Sequence, residues 1–282
     1  QRRFSFRKLI FLLSLSFLAL PFTNVWCLER PVRRRSPGRV AEVRFTSLPV
    51  DHAGDGTIQF DGLWRLEVAD ARFGGLSGLA HMPNGRLLAV TDSGVLVDVP
   101  KPGGGRHAQL FDLKAGPGWP TFKKYRDSEA LLLTTGTEGR ASLWIPFEFR
   151  HSLWRFDPEG RSLDQVNLPD RGWRPNKGAE GLASSGNGLI LFPENGKEVL
   201  LWQTGKWRPL PLAGATGGVA DAVTLPDGRI LVAVREIGLG LTNRLAWLER
   251  GGAGYRLRPF ATLPLGWSDN VEGLAVEPRA GG

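Results

Sequence analysis

The chain holds a single cysteine, Cys27, so no disulfide can form within it and no cysteine-based zinc spacing exists. Its histidines number four, His52, His81, His107 and His151, and share no common position. His151, just past Glu148, is the one suited to test as a base. A Gly-x-Ser-x-Gly elbow is missing: Ser77 stands in Gly75-Leu-Ser-Gly-Leu79, one glycine out of register. There is no phosphate-cradling glycine loop and no nucleic-acid motif. Long helical periodicity is also lacking. The one extended apolar run is Leu9–Phe22, whose 14 residues are short for a membrane span. With the basic opening Arg2–Lys8 before it, residues 1–27 read as an export signal or an N-terminal anchor. Cys27 directly follows that leader.

Positive charge is concentrated at the same end. The formal net charge is +8, but residues 1–35 carry eight Arg and Lys against Glu29, which leaves +1 for the remainder. The basic pI therefore gives no ground for a nucleic-acid partner. Residues 28–39, rich in Arg, Pro, Ser and Gly, read as a basic linker, and residues 40–282 as one domain. The expected location is periplasmic or extracellular, with membrane contact only through an uncleaved leader.

What the chain has in quantity is glycine (37), proline (20) and tryptophan (10), the composition of many strands and turns. One pattern recurs. Lys177-Gly-Ala-Glu-Gly-Leu-Ala-Ser-Ser-Gly-Asn-Gly-Leu-Ile-Leu-Phe-Pro-Glu194 places a carboxylate, a short apolar run, a glycine turn, a second apolar run and another carboxylate. Ser77–Asp92 and Asp221–Glu236 repeat it, and Ser128–Leu133 and Asn270–Val276 begin two more copies. With Ser77, Glu129, Glu180, Asp221 and Glu272 equivalent, the spacings are 52, 51, 41 and 51 residues. Repeats of about 40 to 50 residues built from short strands predict propeller blades. Asn84-Gly85 and Asp227-Gly228 mark tight turns between antiparallel strands. The runs they join are apolar almost throughout, as suits strands covered on both faces. The fold expected is an all-β propeller of five to six blades in a single domain. Its fifth copy contains one strand, and residues 40–68 are expected to supply that blade's outer strands. Trp64, Trp144, Trp154, Trp202 and Trp247 fall in outer strands and are expected to pack between blades.

Gly75-Leu-Ser-Gly-Leu79, Thr91-Asp-Ser-Gly94, Asn176-Lys-Gly-Ala-Glu-Gly-Leu-Ala183 and Asp269-Asn-Val-Glu-Gly-Leu-Ala275 together resemble the phytase-like family, "esterase-like activity of phytase". The resemblance spans residues 60–277. It implies an exported β-propeller and a hydrolase of ester or phosphoester bonds.

In a propeller the first strand of each repeat lines the axis, so Glu129, Glu180, Asp221 and Glu272 should meet near one mouth. Asp92, Glu148, Glu194 and Glu236 end the second runs and should lie at the neighbouring level. Carboxylates that close repel one another unless a cation lies among them. Oxygen donors without histidine suit Ca²⁺ or Mg²⁺. The expected metal set is Glu129, Glu180, Asp221, Glu272, Glu194 and Glu236. Glu180 and Glu272 are the expected catalytic residues. Arg126, Lys177 and Arg235 neighbour the acids and should receive an anionic substrate group. Asp92, ahead of Ser93-Gly94, has an ordinary turn role as its simpler account. Two functions follow: a cation-dependent hydrolase of a small-molecule ester or phosphoester, or a binding propeller whose acids hold a structural cation. Either is expected to be a monomer.

Overall fold

The computed structural model describes residues 39–50, 57–136, 138–265 and 270–277. The leader and Cys27, the linker as far as Gly38, His52, and Trp267–Asp269 lie outside the described residues.

The described chain is strand with one 3₁₀ turn at Lys123–Tyr125. Its first complete blade is β3 (Leu76–His81), β4 (Leu87–Thr91), β5 (Val95–Val99) and β6 (His107–Asp112). A second follows as β7 (Leu132–Thr135), β8 (Ala141–Phe147), β9 (Ser152–Phe156) and β10 (Ser162–Asn167). A third comprises β11 (Ala179–Ser185), β12 (Gly188–Pro193), β13 (Glu198–Gln203) and β14 (Lys206–Ala213). The fourth is β15 (Gly218–Thr224), β16 (Ile230–Ile237), β17 (Leu241–Gly251) and β18 (Gly254–Thr262), and parallel pairing of β14 with β18 joins these last two blades.

The turns explain the hairpins. Between β3 and β4 the Gly85 N–H donates to Met82 O, and Gly85 takes φ +80°. Between β15 and β16, Gly228 donates to Leu225 O with φ +84°. Both are three-residue loops that end on a left-handed glycine. The apolar runs beside them pack face to face between blades. Leu88, Val90, Leu143, Ile145 and Phe147 join the first blade to the second. Leu153, Leu182, Leu189 and Leu191 lie between the second and third, and Ile190, Phe192, Val219 and Val232 between the third and fourth. Each fully buried Leu or Phe contributes about 1.5–3 kcal/mol, so these seams carry the fold. Trp144 and Trp202 meet in one seam with ring centroids 5.8 Å apart, a packing role.

First strands face the axis. Leu79–His81, Leu131–Leu133, Ser184, Ala222–Thr224 and Leu274–Val276 line one central cavity of about 280 Å³. The molecule is therefore a β-propeller, and residues 270–277 run beside β3, where Gly273 packs on the Gly78–Leu79 backbone.

Residues 40–68 do not complete a blade around 270–277. β1 (Val40–Leu48) pairs with β6, and β2 (Leu63–Val68) pairs with β1, so both widen the first blade outward. The alternating pattern of β1 dictates this: Ala41 and Val43 drop into the cluster of Val97, Ala108 and Leu110.

Candidate functional site

Antiparallel pairing puts the start of each first strand beside the end of its second strand. Asp92 N–H donates to Gly75 O at 2.7 Å, Glu148 N–H to Asp127 O at 2.8 Å, and Glu194 N–H to Gly178 O at 2.9 Å. Acids that open first strands and acids that close second strands therefore gather at one mouth. A β-bulge refines their aim. In β11 the pairing steps from Ala179↔Pro193 to Gly181↔Phe192, leaving Glu180 as the extra residue, and β3 has the same step at Ser77.

The bulges also correct the equivalence read from spacing. In β15 the extra residue is Ala220, so Asp221 occupies the place held by Gly78 and Gly181. Asp221 is 1 % exposed, and its oxygens accept the N–H groups of Ala222 at 2.7 Å and Leu274 at 2.6 Å. Burial pushes its carboxyl well above the ordinary range, with these two N–H bonds pulling the other way. Its geometry is that of a latch tying 270–277 to the fourth blade. Ser77, at the bulge, is likewise structural: its Oγ donates to Ser128 O in the next blade, and Ser128 Oγ donates to Thr91 O at 2.6 Å.

The tightest acidic group is Asp127, Glu129 and Glu148, with one oxygen from each inside a 4.8 Å sphere of mutual separation. Burial pushes Glu129 well above the usual carboxylate range, and Asp127, Glu180 and Glu148 push it further. Burial likewise raises Glu148 to about 7, aided by Asp127 and offset in part by the Gly178 N–H. Asp127 is raised by burial despite Lys123, whose Nζ lies 3.0 Å from Asp127 and 3.1 Å from Asp92. Glu148 precedes Phe149, a non-glycine residue at φ +54° whose N–H donates to Pro175 O at 2.7 Å. That strained turn fixes the direction in which Glu148 leaves β8.

Beside this group, burial raises Glu180 to about 8, and Glu148 and Glu194 add repulsion that Arg235 only partly offsets. Arg235 Nη2 is 4.0 Å from Glu180, and its Nη1 is 3.3 Å from Glu272 and 2.8 Å from Asn270 Oδ1. Burial raises Glu272 as well, opposed by Arg235 and Asn270. The structure thus brings Glu129, Glu180 and Glu272 into one electrostatic neighbourhood and adds two residues outside the expected metal set, Asp127 and Glu148. The signal for Asp127 stood in Arg126-Asp127-Ser128-Glu129, where a second acid comes two residues before the repeat's own.

Other expected residues lie differently. Glu194 pairs with Lys177 at 2.5 Å on the rim of the mouth. Glu236 accepts from Thr216 and meets Arg244 at 2.9 Å; burial works against ionisation, but these partners outweigh it and hold the carboxyl below its usual value. Arg126 is 4 % exposed, and its Nη1 donates to Pro117 O at 3.0 Å and Tyr125 O at 2.8 Å, so it serves the interior. His151 stacks edge-on against Trp173 at 5.4 Å.

These features define a class: a β-propeller with a cluster of buried carboxylates at one end of its axis. The chain belongs to the phytase-like family, whose model, "Esterase-like activity of phytase", matches residues 71–282. No curated protein matches the chain. Among solved structures it is similar to Kuenenia stuttgartiensis hydrazine synthase, with 13% identity over 66% of this chain and 49% of that one, TM-score 0.40. It is similar also to virginiamycin B lyase from Staphylococcus aureus, with 11% identity over 78% of this chain and 74% of that chain, TM-score 0.41. The Cps50 (Swd1) β-propeller domain of Myceliophteria thermophila shows 12% identity over 82% and 75% of the two chains, TM-score 0.40. The chain spans about half the length of the hydrazine synthase chain it matches.

Proposed function

We propose that the protein is an exported, divalent-cation-dependent hydrolase of ester or phosphoester bonds. The observation that carries this is the group Asp127, Glu129 and Glu148, whose carboxylate oxygens lie within 4.8 Å of one another, with Lys123 in contact and Lys177 acting on Glu148. Hard oxygen donors with no sulfur or imidazole suit Ca²⁺ or Mg²⁺. A cation bound there would neutralise the three acids and polarise an oxygen of the ester. Family membership and the basic, apolar leader support hydrolysis and export respectively.

The chain's own groups divide the remaining work. Arg235, between Glu180 and Glu272, holds an anionic substrate group, with Lys177 on the rim. Glu180, raised to about 8, keeps its proton at neutral pH and can pass it to the leaving oxygen. Glu272, less buried and closer to Arg235, is the partner whose ionised form Arg235 favours and which would orient water. Two acids in such different surroundings can divide the acid and base roles.

A second reading, a binding propeller, draws on Lys123, which already bridges Asp92 and Asp127. Assay decides between them. Phytate, p-nitrophenyl phosphate and short-chain p-nitrophenyl esters are incubated with wild type and Glu180→Gln, with calcium, magnesium or chelator. Cation-dependent turnover that falls about 10²–10⁴-fold in Glu180→Gln is expected. Turnover undiminished by that substitution removes Glu180 from the mechanism, and no turnover on any substrate leaves the binding propeller.

A further inference from the structure

A cleft of about 640 Å³ opens beside the carboxylates, at the seam of the third and fourth blades. It is within the 300–1,000 Å³ range of small-molecule sites. Its walls are of two kinds. One is cationic: Arg174, Lys177, Lys197 and Arg235 line it against the single carboxylate Glu194. Lys177 is paired with Glu194 and Arg235 with Glu272, whereas the side chains of Arg174 and Lys197 have no ion-pair or hydrogen-bond partner among the described residues. The other wall is apolar. Trp173 enters from the loop before β11, braced by the edge-on ring of His151 at 5.4 Å. Ile237 enters from the end of β16 and is 83 % exposed, next to Leu239, which is fully exposed.

Around one cleft stand the bare Ile237, the half-buried ring of Trp173 and two exposed cations without a counter-charge among the described residues, so a ligand with both a charge and an apolar part would engage all four. A polyanion with no apolar part would leave Trp173 and Ile237 idle. A neutral ester would leave Arg174 and Lys197 unused. We propose that the cleft binds amphiphilic anions, and hence that the substrate is an anionic ester carrying an aryl or alkyl group. As a statement about substrate this rests on the hydrolase reading above. Arg235 belongs to both regions, so the anionic group sits on the carboxylate side and the apolar group points out along Trp173 towards Ile237.

The test separates binding from turnover. Methylphosphonate and benzylphosphonate, which share a head group, are titrated calorimetrically into the full chain with calcium present. Benzylphosphonate should bind about tenfold more tightly, the gain expected from withdrawing one ring partly from water. Ile237→Ser, a surface change, should remove most of that ratio and leave methylphosphonate unchanged. Arg174→Gln with Lys197→Gln should weaken both ligands about equally and keep the ratio. Equal affinity for the two phosphonates, or no binding of either, overturns the proposal. The ring preference, with no turnover of benzyl phosphate or of the phosphate and carboxylic esters assayed above, supports the cleft's ligand class and ends the hydrolase reading. Turnover of benzyl phosphate without a ring preference in binding does the reverse.

Discussion

Glu148 Oε1 accepts the backbone N–H of Gly178 at 2.8 Å, a bond that crosses from the second blade to the start of the third. It anchors one member of the acidic group to the neighbouring blade. A Cβ on residue 178 would stand 2.9 Å from His151 Nδ1, so glycine is what lets the N–H approach. One neutral donor does not offset the loss of water around a carboxylate. Glu148 therefore keeps a raised pKa despite the bond.

That fixes the pH dependence of the cation-free protein. Glu148 titrates at about 7 and Glu180 at about 8 when folded, both raised by burial from the ordinary 4.5. Between the unfolded and folded values the native state binds more protons, so stability falls as pH rises. Each group's contribution is complete below its unfolded value and is lost as pH climbs through its folded one. One pKa unit is about 1.4 kcal/mol, so the losses are on the order of 3 kcal/mol for Glu148 and about 5 kcal/mol for Glu180. In chelator, Tm should fall by several degrees between pH 5 and pH 8, and Glu180→Gln should flatten the curve. A Tm that rises over this interval would contradict the burial of these acids.

Calcium should oppose the trend. Protons compete with a cation for the same oxygens, so the Tm gained on adding calcium should be larger at pH 8 than at pH 5. Saturation at a hundredfold excess over Kd stabilises by about 2.7 kcal/mol. Asp127→Asn or Glu129→Gln should abolish the gain. Glu236→Gln should leave it intact, because that carboxylate is occupied by Thr216 and Arg244. Melting curves with and without calcium for the three variants settle the ligand set.

How much of this was legible in the sequence depends on whether the signal was local. The turns at Gly85 and Gly228 and the buried runs beside them follow from neighbours in the chain, and they appear as expected. The repeat also brings Glu129, Glu180 and Glu272 near one another, since equal position in a blade becomes nearness around an axis. The failures have another source. A bulge adds one residue without altering the apolar pattern, so Asp221 counted as a fourth copy while it stands in a glycine's place. Residues 40–68 are alternating strands, but nothing local says which blade edge they meet; β6 and its buried Ala108 and Leu110 decide that. Arg126 looked like an anion receptor because it neighbours the acids in sequence, and a side chain one residue away points elsewhere.

Two substitutions test the corrected alignment. Gly78→Ala would set a Cβ 2.5 Å from the Leu131 nitrogen, backbone of the next blade that cannot yield cheaply. Overpacking of this kind costs about 1–3 kcal/mol. Asp221→Ala would leave the N–H groups of Ala222 and Leu274 without their acceptors in the interior, at about 1–3 kcal/mol for each unpaired donor. Both should lower Tm in chelator, and the Asp221→Ala protein should keep its calcium response. Loss of that response in Asp221→Ala would return the residue to the cation site.

Arg235 offers the sharpest separation of substrate chemistry. It alone supplies a guanidinium to both Glu180 and Glu272 among the described residues. Arg235→Gln removes a charge that favours their ionised forms, so both carboxyls should rise further. The alkaline limb of kcat/KM, set by loss of the Glu180 proton, should then move to higher pH. In the same variant an anionic phosphoester loses its charge partner, whereas a neutral carboxylic ester does not. Removal of a charge-assisted bond of about 1.5–3 kcal/mol corresponds to a loss of roughly 10- to 100-fold for p-nitrophenyl phosphate. Short-chain p-nitrophenyl esters should change by less than about threefold, a difference under 1 kcal/mol. Equal losses on both substrates, with the pH profile unmoved, would mean that Arg235 only shapes the mouth and touches neither the proton nor the anion.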